Sequence, residues 1–88
     1  MSSEQEILRL FAGISDVSMM RRLFNELLTE SERHDLVLRW KLLKMLRDGI
    51  PQREIASRLH ISLCKITRGA KILKDEQSVV RKLLESIE

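Results

Sequence analysis

The sequence predicts an all-α fold of six short helices, read as a single domain over residues 1–88. Three observations lead there. Apolar residues recur at three- and four-residue spacing along most of the chain, which places them on one face of a helix. Serine, threonine and aspartate stand where those runs begin, twice with a glutamate three residues on, the pattern of a capping box. Hydrophobic types make up 43% of the 88 residues and aromatics only 3%, while three glycines and one proline leave long stretches free to be helical.

Each helix has its own signals. Ser3 with Glu6 opens the first, whose apolar face is Ile7, Leu10, Phe11 and Ile14 and which Gly13 interrupts. Ser15 or Asp16 caps a second, with Met20, Leu23, Phe24, Leu27 and Leu28 on one side. Thr29 with Glu32 ends the second near Leu28 and starts a third at once. From Leu36 to Leu46, eight of eleven residues are apolar, too wide a stripe for a surface helix, so the third should be central and buried on several sides. Asp48 and Gly49 end it. Pro51 suits the first turn of a fourth helix reaching Leu59, because its missing N–H would have no partner there. His60 is the turn residue, and Ser62 caps a fifth helix running to about Lys74. A sixth is expected from Glu76 to Ile87, with Val79, Val80, Leu83, Leu84 and Ile87 on one face.

Charge is distributed unevenly along this frame. Residues 1–38 carry four basic and seven acidic side chains, residues 39–74 carry ten and two, and residues 75–88 carry two and four. The middle block is thus +8 between acidic flanks. A charge run by itself marks only a solvated face. Here it coincides with two short helices joined by a tight turn, with Ala56 at their crossing and Ile55, Leu59, Ile61, Ile66 and Ala70 facing inward, which is a helix–turn–helix pattern. Cys64, Lys65, Thr67, Arg68 and Lys71 are left outside or flanking. Such a helix can enter a major groove, with its first residues at base edges and its basic groups at phosphates. The competing readings are a plain helical hairpin kept soluble by its lysines, or a helical protein-interaction module that never touches DNA.

Other classes are disfavoured. No carboxylate pair, nucleophile beside a base or glycine-rich phosphate loop points to an enzyme. The single Cys64 with the scattered His34 and His60 makes neither a disulfide nor a metal site. No apolar run near 18 residues and no export signal is present, so a cytoplasmic protein without membrane contact is expected.

The stretches "LLTESERHDLVLRW", "PQREIASRLHIS" and "KITRGAKILK" resemble, in the same order, the Trp repressor family of bacterial regulators, over about Leu23 to Lys74. The "ITRG" element after "QRE" is fairly specific, since helix–turn–helix proteins in general lack it. The resemblance implies an intertwined homodimer of six-helix chains that binds double-stranded operator DNA when L-tryptophan is present as corepressor, and so represses genes of tryptophan biosynthesis or uptake. Helix–turn–helix proteins, the Trp repressor among them, use the second helix of the motif as the reading head. By the same resemblance, Arg39 and Arg68 would enclose the indole, one of them also meeting the ligand carboxylate, with help from Thr29. The backbone carbonyls of Glu26 and Leu28 would receive the ammonium group, and Gly69 would leave room beside the ring. Without the resemblance, Arg39 reads as an ion pair with Asp35 and Arg68 as a phosphate contact. The DNA positions would be Gln52 and Arg53 on the fourth helix and Leu63, Cys64, Lys65, Thr67 and Lys71 on the fifth, with Lys74 a further phosphate contact.

Several residues depart from the family's best-known member. Ala56 stands for a lysine and Lys65 for a threonine, so one basic charge has moved from the fourth helix to the fifth. Cys64 replaces a small apolar residue. Ile72 stands where the tryptophan-binding member has a serine that helps to hold the ligand's amino group, which expects weaker tryptophan binding. The alternative function is therefore a Trp-repressor-like helix–turn–helix regulator with another ligand or none.

Overall fold

In the computed structural model, which describes residues 1–87, those residues form six α-helices and no strand: α1 (Ser3–Gly13), α2 (Val17–Leu27), α3 (Glu30–Arg47), α4 (Gln52–Leu59), α5 (Leu63–Lys74) and α6 (Val79–Glu85). Two compact units divide the chain, the first being Met1–His34 and the second starting at Asp35.

The first unit is held by caps more than by a core. Ser2, not Ser3, opens α1: its hydroxyl accepts from the Gln5 amide at 3.2 Å while Gln5 Oε1 accepts from the Ser2 amide at 3.1 Å. Both frames of the capping box exist in the sequence, and the earlier one adds a residue to the helix. Asp16 rather than Ser15 caps α2, through the Ser18 amide. The Thr29–Glu32 box forms as expected, with Glu32 Oε1 accepting from the Thr29 amide at 2.8 Å and Thr29 Oγ1 from the Glu32 amide at 3.1 Å. Arg33 then turns back, and its Nη1 donates to the Asn25 and Leu28 carbonyls at 3.2 and 2.7 Å, which closes the end of α2. No residue of α1 or α2 is buried, and the groove between them, about 620 Å³, is lined chiefly by Leu10, Ile14, Met19 and Leu23.

In the second unit the core is small and tightly closed. Ile55 and Ile66 are fully buried against Leu42, with Met45, Leu46, Ile50, Ala56, Leu59 and Ile61 packed around them. Gly49 at φ +81° ends α3, since a positive φ costs glycine little. The helix start expected at Pro51 falls one residue later: Pro51 is the N-cap, and its carbonyl accepts from Glu54 and Ile55. His60 adopts the left-handed conformation expected of the turn residue, φ 54° and ψ 46°, and Ile61 donates back to the Ala56 carbonyl. Ser62 occupies the cap position of α5, although its hydroxyl makes no capping bond.

Two further expectations need correction. The sixth helix is shorter than Glu76–Ile87, because Asp75 Oδ1 takes the Gln77 amide into a turn and Ser78, accepting from the Arg81 amide, becomes the cap. The carbonyls of Leu84 in α6 and of Ile87 just beyond it accept from Arg47 Nη1 at 3.1 and 3.2 Å, which ties α6 back to α3. Within one chain α3 is buried only around Leu42 and Leu43; Leu36 and Val37 remain 44% and 49% exposed. Among the described residues the first half of α3 has no buried side chain, so its apolar stripe stays uncovered. Among the described residues no helix is long and apolar enough to cross a membrane.

The caps of α1 and α3 differ in one testable respect. Glu32 holds its box with a carboxylate that the Thr29 backbone and side-chain hydrogen bonds keep below the usual carboxylate range, whereas α1 uses the neutral Gln5. A carboxyl depressed in the folded state contributes fully above its unfolded pKa, and that contribution is lost as pH falls through the folded value. On acidification, the Thr29 amide resonance should therefore shift as its acceptor is protonated, while that of Ser2 should not follow carboxyl protonation in its own cap. In Glu32→Gln the Thr29 shift should disappear with the cap retained; a titration unchanged by this substitution refutes the assignment.

Candidate functional site

Helices α4 and α5, joined by His60, Ile61 and Ser62, set the geometry of the basic face. Ile55 and Ile66 point inward and fix the two helices on each other, and the remaining positions turn outward by helical periodicity. Gln52, Arg53, Leu63, Cys64, Lys65, Thr67, Arg68, Lys71 and Lys74 are all exposed. Among the described ion pairs, the acid of this region, Glu54, is taken by Arg58 at 3.0 Å, which leaves Arg53, Lys65, Arg68, Lys71 and Lys74 outside any such pair. Thr67 is less free than its exposure indicates. Its hydroxyl donates to the Leu63 carbonyl at 2.9 Å, a bond it must release before donating to a base or phosphate.

Behind this face lies a cleft of about 270 Å³, close to the lower bound of roughly 300 Å³ for small-molecule sites. Arg39 from α3 and Arg68 from α5 both line it, together with Gly69 and Ile72. Four of the residues assigned to ligand binding from the sequence are thus brought together within the second unit. Arg39 makes no ion pair with Asp35 among the described residues, so the simplest competing reading of that arginine is not realised. Glu26, Leu28 and Thr29 belong to the first unit, where the Leu28 carbonyl is already an acceptor for Arg33 and the Thr29 hydroxyl for the Glu32 amide.

Three cleft residues were missed as ligand contacts: Leu42, Leu43 and Lys65. The signal was present in part. Arg39, Leu42 and Leu43 are spaced three and four apart on α3, as are Lys65, Arg68, Gly69 and Ile72 on α5, so each set shares a helical face. What spacing lacks is the crossing point. That point is Gly69, where an added Cβ would lie 2.7 Å from Leu42 Cδ1 and 3.3 Å from Leu46 Cδ1. Gly69 is therefore first a packing residue, buried against α3, and only through that a residue of the cleft. Among the described residues no group of three metal-ligating side chains occurs.

The chain matches the family model described as Trp repressor protein over residues 3–88. It is 35% identical over 74 residues to the Trp operon repressor homolog of Chlamydia trachomatis serovar D, covering 83% of this chain and 79% of the relative. Against that of Xylella fastidiosa strain M23 the identity is 35% over 79 residues, 85% of this chain and 86% of the relative. The Vibrio parahaemolyticus homolog is 31% identical over 88 residues, 94% of this chain and 85% of the relative. No solved structure matches the chain significantly. A match across nearly the full sequence, on a six-helix chain whose basic α5 lies beside a cleft, leads to one conclusion: the chain belongs to the Trp repressor family of DNA-binding transcriptional regulators.

Proposed function

We propose that residues 1–88 act as one Trp-repressor-like domain, a cytoplasmic homodimer whose α4 and α5 form a helix–turn–helix on operator DNA, and that L-tryptophan bound in the Arg39–Arg68 cleft raises its affinity for that DNA. Its targets would be genes of tryptophan biosynthesis or uptake. The observation that carries this reading is that one cleft joins an arginine of α3 to an arginine of the basic helix α5. A flat ligand held between two guanidinium groups uses both their stacking surface and their forked donors. It would fix α5 against α3, and would favour DNA binding only by binding that arrangement more tightly than others.

Thr29 and the carbonyls of Glu26 and Leu28 are proposed as further ligand contacts, as the family resemblance implies. Gln52, Arg53, Leu63, Cys64, Lys65, Thr67, Lys71 and Lys74 are proposed for DNA, supported by their exposure on α4 and α5. Ile72 favours the second reading, a regulator with a different ligand or none, because it lines the cleft with an apolar side chain that offers an amino group no acceptor. Dimerisation is supported by the apolar side chains left uncovered on single-chain helices, including Leu8, Leu10, Met19, Leu36, Val37 and Leu83.

Three outcomes are expected. Light scattering at micromolar concentration should report twice the chain mass; a stable compact monomer there defeats the dimer. Operator DNA should raise affinity for L-tryptophan by the same factor by which tryptophan raises affinity for operator, a coupling of ~1–3 kcal/mol. Arg68→Ala should remove most of that coupling and keep helix content, and operator affinity indifferent to saturating tryptophan would leave only the second reading. Finally, Arg53→Ala should weaken specific and random DNA alike and flatten the logarithmic salt dependence by about one unit. A loss confined to one base pair would instead make Arg53 a base-reading residue.

A further inference from the structure

A second groove in the same unit shares no lining residue with the Arg39–Arg68 cleft. It forms where the last turns of α3 and α5 meet α6, has a volume of about 270 Å³, and is lined by Leu46, Arg47, Leu73, Arg81, Leu84 and Glu85. Leu84 is fully buried and Leu46 and Leu73 are partly so, which gives the groove an apolar part. The two arginines set it apart from an ordinary dimple between helices.

Both arginines keep donors in reserve. In Arg47, Nε donates to Asp48 Oδ1 at 3.1 Å and Nη1 to the Leu84 and Ile87 carbonyls at 3.1 and 3.2 Å, so the guanidinium is held in place, yet no described hydrogen bond uses its Nη2. Arg81 is engaged only through Nε, 3.4 Å from Glu85 Oε1, which is long for a hydrogen bond, and both side chains of that pair are partly exposed. Glu85 is the one carboxylate lining the groove among the described residues. An anion entering there meets one fixed guanidinium from α3 and one adjustable guanidinium from α6, and a planar carboxylate matches the forked donors of either. The three leucines then favour an apolar body behind the charge. We propose that this groove is a second ligand site, which takes a small carboxylate with an apolar body, held by Arg47 and Arg81 over Leu46, Leu73 and Leu84. A ligand so held bridges α3 and α6 beside the last turn of α5, and the inference stands whether or not the other cleft binds tryptophan.

Benzoate is the probe, and leucine-methyl NMR of the full chain reports where it binds. The Leu73 and Leu84 methyl resonances should move on titration, with a dissociation constant on the order of millimolar for so small a ligand in an open groove. Arg47 is left intact because it anchors α6. Arg81→Gln should weaken binding by about threefold, the scale of a partly exposed ion pair, and Glu85→Gln, which releases Arg81, should tighten it by a similar factor. Benzyl alcohol, which keeps the ring without the charge, and acetate, which keeps the charge without the ring, should move these resonances far less. Arg39→Gln should leave the Leu73 and Leu84 shifts unchanged, which separates this site from any benzoate bound beside Leu42 and Leu43. The proposal is overturned if benzoate leaves Leu73 and Leu84 unmoved, if benzyl alcohol or acetate binds there as tightly as benzoate, or if neither Arg81→Gln nor Glu85→Gln changes the affinity.

Discussion

Helix α5 lies as close to α3 as it does because residue 69 has no side chain. Leu42 occupies the space that a Cβ would need, and Leu43 and Leu46 close around the same point. Glycine inside a helix costs about 1 kcal/mol relative to alanine. Burying an isoleucine side chain returns roughly 1.5–3 kcal/mol, and the close approach accompanies the complete burial of Ile66, while Ile55 from α4 is equally buried in the same core. The exchange favours the glycine. The rest of the second unit follows from this contact: α4 packs on the buried face of α5, the His60 turn sets the distance between them, and α6 packs against α5 and is tied by its carbonyls to Arg47 of α3.

The same close approach creates the cleft. Arg39 and Arg68 reach it from two helices that touch at Gly69, so their separation is set by a rigid packing contact and not by a loop. Under the proposed function this couples a ligand to the DNA-binding helix, since a molecule between the arginines would act directly on the angle of α5 against the core. It also concentrates charge. Three cations around an apolar space are tolerated because all three side chains are exposed to solvent, and the same screening keeps the attraction of each for an anion modest.

The first unit is organised on other principles. Two capping boxes, an aspartate cap and the Arg33 contacts define where its helices begin and end, yet neither α1 nor α2 buries a residue within the chain. Caps contribute of the order of 1 kcal/mol each, too little to hold isolated helices of 11 residues, which are marginal in water. Apolar faces of this kind need a second surface. In the proposed function a second copy of the chain supplies it, which also gives the exposed first half of α3 its match.

Sequence alone determined most of the local structure. The helix count, the Thr29–Glu32 box, the left-handed His60 and the ends of α5 were legible because each depends on a residue's own propensity and on neighbours three or four positions away. Boundaries slipped where two local solutions compete, as at Ser2 against Ser3 and at Ser78 against Glu76. Arg39 and Arg68 were legible as a pair only through the family resemblance, since nothing in their spacing brings residues 29 positions apart together. The tertiary structure decided the rest: that Gly69 is a packing contact, that Lys65 faces the cleft as well as solvent, and that the Leu28 carbonyl is already in use. Each of these depends on where one helix crosses another or on which side chain reaches a carbonyl first. Periodicity fixes the face on which a residue lies and leaves open what that face meets.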